Sequence, residues 1–183
     1  MHRKVNTFCS SFPPIRACIF DMDGVLIDTD DMYTAIFNTI LHKYSKPPMP
    51  WHIKAQLQGR TGSQVRDIIL AWAGLPISEE QFMKEASAVG QELFPTTQPL
   101  PGVEELLKTL GAETTKPMLY LAVGTGTSAK TYETKTSHLT ELFSYFPAEQ
   151  IVKGDDERLG PGAGKQAIYE LALKTINDGI QER

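Results

Sequence analysis

The run IFDMDGVLIDTD, residues 19–30, holds four carboxylates in one short stretch. An apolar approach ends in Asp21, Asp23 follows two positions on, and Gly24 comes next. A carboxylate at the end of a buried strand is held by a rigid element and faces the crevice where open α/β sheets bind ligands. A second carboxylate two residues later reaches the same space from the loop. Gly24 lets the backbone turn sharply and leaves room for a ligand. Two carboxylates in one crevice repel unless a cation stands between them or their protonation states differ. Both conditions suit phosphoryl transfer, in which a metal-bound carboxylate attacks phosphorus and its neighbour gives a proton to the leaving group, then activates water. Asp28, Asp30 and Asp31 read instead as caps and solvated charges at a helix start.

Two later positions offer support for such chemistry. Thr125 follows the apolar run LYLAV, and a hydroxyl and backbone N–H at a strand-to-helix turn can donate to a phosphoryl oxygen. Gly126 and Thr127 extend that loop as further substrate-binding candidates. Lys165, preceded by GPGAG, can neutralise a crowded carboxylate and a phosphate together. Gly124–Ala129 also fits the G-x-G-x-x-A dinucleotide fingerprint, a remote nucleotide-binding alternative that leaves the D-x-D-G cluster unexplained. Gly164-Lys165 suggests a P-loop only superficially. Leu159 stands where its first glycine belongs, and Gln166 replaces the required Ser or Thr.

The elements that must position these groups are legible as strands alternating with helices. Ile15–Met22, Met118–Val123 and Ile151–Val152 read as strands. Helical patterns cover 30–44, 51–94 with interruptions, 103–110, the stretch after Ala129, and a closing helix with Ile168, Leu171, Ala172, Thr175 and Ile176 on one face. Ser78 and Gln81 form a candidate capping box. This order predicts an α/β protein: a parallel sheet covered by helices, with residues 31–98 as an inserted α-helical cap between two Pro-rich hinges. Residues 15–30 and 99–183 form the expected core, and 1–14 an expected tail.

At 183 residues with 41% hydrophobic and 22% charged side chains, the chain is long and apolar enough for a packed core. A net charge of −4 gives no electrostatic footprint for nucleic acid. No apolar run is long enough to span a bilayer, and the start has no apolar signal-peptide region. The two cysteines, Cys9 and Cys18, cannot make a disulfide framework, and Cys18 is expected as a buried thiol. The expectation is a cytoplasmic monomer.

The stretch D-x-D-G-V-L-x-D-T after an apolar strand closely resembles the first motif of the haloacid dehalogenase superfamily, in its subgroup with a helical cap. The resemblance extends over nearly the whole chain and is nearest to pseudouridine-5′-phosphatase-like and sugar-phosphate phosphatase-like members. It implies a Rossmannoid three-layer core and a Mg²⁺-dependent phosphatase of a small phosphorylated metabolite, acting through an aspartyl-phosphate. By this resemblance Asp21 is the nucleophile and Asp23 the general acid/base. Mg²⁺ would be held by the Asp21 carboxylate and the Asp23 backbone carbonyl. Thr125 matches the second motif and Gly164-Lys165 the third, although Gln166-Ala-Ile-Tyr follows where the family has Pro-x-Pro-Asp. LQGRTGSQV, residues 57–65, resembles the cap loop over the site, with Arg60 as a candidate for substrate phosphate or hydroxyl. The fourth motif, an acidic pair after a further strand, has no match downstream of Lys165. Its absence predicts weaker Mg²⁺ binding, an exposed first strand, and, as alternatives, an impaired or non-catalytic binding module. Asp155 and Asp156 are candidate substitute ligands. A sugar phosphomutase shares the first three motifs.

Overall fold

Apolar strands become parallel neighbours when helical crossovers carry the chain back across the sheet. The computed structural model describes residues 13–60, 62–112, 119–160 and 162–181. Its sheet has the order β1 (Ala17–Phe20), β2 (Tyr120–Gly124), β3 (Ile151–Val152), all parallel. The register pairs Ala17 with Tyr120 through Phe20 with Val123, then Val123 with Ile151. The first strand is shorter than the run from Ile15 to Met22. Met22 leaves the ladder because its carbonyl accepts the N–H groups of Leu26 (2.9 Å) and Ile27 (3.2 Å), which closes a turn and buries Met22. The second strand begins at Tyr120 and runs on to Gly124. Met118 lies outside the described residues, as does the expected tail up to residue 12.

Helices cover both faces of the sheet. Leu121 and Val123 point into a cluster with Met22, Leu107 of α5 (Val103–Leu110) and Phe146. The alternate residue Ala122 points the other way, against Ile168, Ala172 and Ile176 of α8 (Lys165–Gln181). β2 is central, whereas β1 has one strand neighbour among the described residues, and all four of its residues are half-buried. Cys18 is therefore half-buried rather than buried, because an edge strand leaves part of its side chains uncovered.

Between β1 and α5 the chain is helical: α1 (Asp30–Lys43), α2 (Trp51–Leu57), α3 (Gly62–Ala73), α4 (Glu79–Leu93) and a short turn, Phe94–Thr96. These elements have their own core of Ile36, Phe37, Ile40, Ile69, Phe82 and Phe94, with Phe37 and Phe82 stacked at 6.1 Å. Ser78 caps α4 by accepting the Gln81 N–H at 3.2 Å. The Gln81 side chain does not turn back to complete the box; it donates to Glu85 at 2.6 Å. Glu85 Oε1 also takes Lys43 and the Tyr44 hydroxyl, each at 2.7 Å. The Lys43 hydrogen bond, with those of Gln81 and Tyr44, pulls the Glu85 carboxyl down to about 2. Among the described residues no helix is long and apolar enough to cross a membrane.

The loops after β2 and β3 are locked together. Gly154 N–H donates to Thr127 O at 3.0 Å, and a Cβ on Gly154 would stand 2.3 Å from Gly126 O. Only a residue without a side chain permits that approach.

Gly154→Ala is expected to cost about 1–3 kcal/mol, as overpacking does, read as a lowered urea midpoint with an unchanged slope. Glu85 has a folded-state pKa below its unfolded value near 4.5, so its contribution is full above that value and is lost as pH falls toward about 2. Glu85→Gln is expected to lower the melting temperature by about 2–4 °C at pH 7. The difference from the parent should vanish near pH 2 in circular-dichroism melts.

Candidate functional site

Asp21 is the first residue beyond β1, so its carboxylate stands at the carboxyl end of the sheet on a rigid support. Its Oδ1 accepts the Met22 N–H at 2.7 Å and forms an ion pair with the ammonium of Lys165. Lys165 opens α8, where the helix dipole disfavours a cation, so the carboxylate supplies the charge that holds it there. The pair forms although Gln166-Ala-Ile-Tyr replaces the family's usual continuation. Both side chains remain open to solvent, at 29% for Asp21 and 42% for Lys165, so a ligand can reach them.

Asp23 sits in a different environment. Its Oδ1 accepts the Thr29 hydroxyl at 2.8 Å and the Lys135 ammonium at 2.5 Å, and its Oδ2 accepts the Thr127 hydroxyl at 2.7 Å. Gly24 turns the chain immediately afterwards with φ +72°, a left-handed conformation suited to glycine, and its N–H closes onto Ile27 O at 2.9 Å. Thr29 precedes α1, and Asp30 and Asp31 occupy the first turn of that helix, where acidic residues complement the dipole. Asp31 pairs with Lys54 at 3.2 Å, and Asp28 is exposed with its N–H on Gln98 O.

The loop after β2 departs from the expectation in one respect. Thr125 is fully buried, and its N–H is already committed to Val152 O at 2.9 Å, so that N–H is not free for a ligand. The Thr125 hydroxyl accepts the Thr127 N–H at 3.1 Å and shapes the loop. Thr127, not Thr125, makes the direct contact with the carboxylate cluster. Gly126 is exposed at the rim.

Three sequence candidates are not brought to the cluster. Arg60 is exposed just beyond α2 and makes no contact with Asp21 or Asp23 among the described residues. Asp155 Oδ1 accepts the Ala129 N–H at 2.8 Å, at the start of α6 (Ala129–Thr136). Asp156 is gripped by Arg158 at 2.6 Å and 2.8 Å, and that contact holds its carboxyl below the usual range. Asp156 thus ties down its own loop and Asp155 links that loop to α6, and among the described residues neither forms an acidic group with Asp21 and Asp23 that could hold a metal. Lys135 was invisible from sequence. It lies in the polar octapeptide AKTYETKT, where nothing distinguishes it from the exposed Lys130.

The oxygen donors at the end of β1 suit a hard cation. Among the described residues no group of three or more His, Cys, Asp and Glu side chains could enclose a metal. Mg²⁺ does not require one, because it commonly keeps several waters and binds through one or two carboxylates plus substrate phosphate. By donor chemistry, the Asp21 carboxylate and the Asp23 backbone carbonyl are hard oxygen groups of the kind Mg²⁺ takes.

Residues 18–173 match the haloacid dehalogenase-like hydrolase family. A Saccharomyces cerevisiae protein named as a probable pseudouridine-5′-phosphatase is 36% identical over 166 residues, 90% of this chain and 68% of that protein. Arabidopsis thaliana (DL)-glycerol-3-phosphatase 2 is 32% identical over 167 residues, 90% of this chain and 67% of its own length. The crystal structure of β-phosphoglucomutase from Clostridium difficile shares the fold with a TM-score of 0.66 at 20% identity, covering 90% of this chain and 72% of that one. The chain spans about two thirds of the length of the curated relatives it matches. With that match running from within β1 into α8, the chain belongs to the haloacid dehalogenase-like hydrolase family.

Proposed function

We propose that this chain is a phosphoric monoester hydrolase acting on a small phosphorylated metabolite, sugar- or nucleotide-like, through an aspartyl-phosphate on Asp21. The observation that carries the reading is the unequal environment of the two carboxylates. Asp21 is open and faces one ammonium, as a nucleophile aimed at an anionic phosphate requires. Asp23 is held by three donors, as a proton carrier that must not itself attack requires. The relatives' names, pseudouridine-5′-phosphatase and glycerol-3-phosphatase, support small phosphate esters as the substrate class.

In this reading a carboxylate oxygen of Asp21 attacks phosphorus in line and the ester P–O bond breaks. Asp23 gives its proton to the departing alkoxide. Water then attacks the phosphoryl group, Asp23 takes up its proton, and the bond to Asp21 breaks to release phosphate. Lys165 screens the charge that gathers between the Asp21 carboxylate and the phosphoryl oxygens. Oδ2 is the Asp23 oxygen suited to the proton, because the Thr127 hydroxyl can turn and accept, whereas the ammonium on Oδ1 only donates. Mg²⁺ bound by Asp21 and the Asp23 carbonyl would supply charge neutralisation and orient the phosphate. The helical unit 31–98 serves as a cap that excludes water and reads the substrate.

The test is hydrolysis of p-nitrophenyl phosphate and a panel of sugar and nucleoside monophosphates with added Mg²⁺. Asp21→Asn is expected to lower kcat by roughly 10³-fold or more, and chelation of Mg²⁺ to stop turnover reversibly. Release of phosphate that survives Asp21→Asn would sink the proposal, as would silence on every ester. Lys165→Met is expected to cost about 10²–10³ in kcat, with the melting temperature little changed because the pair is open to solvent.

A further inference from the structure

Lys135 has no part in the steps above, yet its burial is unusual. Among the described residues it is the one charged side chain in the buried class, with 0% exposure. A buried ammonium is costly unless every side of it is answered. Here the answers come from two parts of the molecule. Asp23 Oδ1 stands at 2.5 Å on the side of the sheet. The Tyr33 hydroxyl accepts at 2.8 Å, and the faces of Tyr33 and Phe94 each lie 4.7 Å from the nitrogen. Tyr33 belongs to α1 and Phe94 to the turn after α4, and the two rings pack edge to face at 5.5 Å. The same face of the molecule carries a second tie, His138 Nε2 at 2.7 Å from Thr97 O. Lys135 thus reaches out of α6 into an aromatic pocket built entirely by the 31–98 unit, and grips the motif's second aspartate on the way.

We infer that Lys135 is a positioning residue for Asp23: its ammonium fixes Oδ1, and the Tyr33–Phe94 pair of the helical unit fixes the ammonium. The seating of that unit is then transmitted to the orientation of the Asp23 carboxylate. The consequence for turnover rests on the proposed function, in which Asp23 handles the leaving group's proton. The contact itself does not.

The experiment compares the parent with Lys135→Met on two esters. p-Nitrophenyl phosphate releases a stable phenolate that needs no proton, and glycerol phosphate releases an alkoxide that does. The expected result is a kcat loss on glycerol phosphate about tenfold or more greater than on the nitrophenyl ester, with KM little changed for either. Equal losses on the two esters, or none, overturn the inference, because a merely structural lysine would not discriminate leaving groups. Should Lys135→Met fail to fold, Tyr33→Phe keeps the ring, removes only the hydroxyl from the ammonium, and carries the same comparison. A second arm needs no turnover. Urea midpoints of Asp23→Asn, Lys135→Met and the double variant are expected to be non-additive, and additivity overturns the contact. A chain that hydrolyses neither ester refutes the proposed function, and this cycle still decides Lys135.

Discussion

Asp21 and Asp23 stand two residues apart at the open end of a strand, and like charges at that spacing destabilise the turn that carries them. Each is matched by an ammonium from a different helix: Lys165 at the start of α8 and Lys135 near the end of α6. The two helices pack on opposite faces of the sheet, α6 through Tyr132 with Leu121 and Val123 and α8 through Ile168 with Ala122, so each charge is answered only once its own face is covered. Much of the remaining structure follows from that requirement. α8 is anchored by Ile168, Ala172 and Ile176 beneath β2, which brings Lys165 to Asp21. α6 is held at its start by Ser128 and Asp155 and along its length by Tyr132 against Phe143.

The two ion pairs are unequal because their surroundings are. The Asp21–Lys165 pair is open to water, so its attraction is screened and its groups remain accessible to a ligand. The Asp23–Lys135 pair joins a fully buried ammonium to a carboxylate with 25% exposure, and is wrapped by two aromatic rings and two threonine hydroxyls. Interactions there are strong and directional, and removing one partner leaves the other stranded. An open pair suits a group that reacts, and an enclosed pair suits a group whose orientation must be kept.

Much of this was legible before any coordinates. The alternation of strands and helices and the short strand Ile151–Val152 follow from local composition and period, and the D-x-D-G cluster and Lys165 stand out by their resemblance to the family's motifs. The helical stretch between the Pro-rich segments was equally plain. The errors are local in character too. The strand-to-helix turn suggests Thr125 as a donor through its hydroxyl and its N–H, but Val152 on the adjoining β3 takes the N–H. Cys18 was placed inside because its neighbours are apolar, but an edge strand is covered incompletely. Asp155 and Asp156 resembled spare ligands, yet a helix N–H and an arginine had already claimed them.

What the sequence by itself determined is the family: an apolar strand delivering two carboxylates and a glycine turn, with a lysine far downstream. Those features survive in one dimension because each depends on near neighbours, on period and turn. Only the tertiary structure decided which groups Asp23 answers to. Thr29 is 6 residues away, Thr127 is 104 and Lys135 is 112, and the aromatic pocket around that lysine comes from two helical elements between them. A buried ammonium is tolerated only where such distant groups converge, and no local pattern in a polar helix records that convergence.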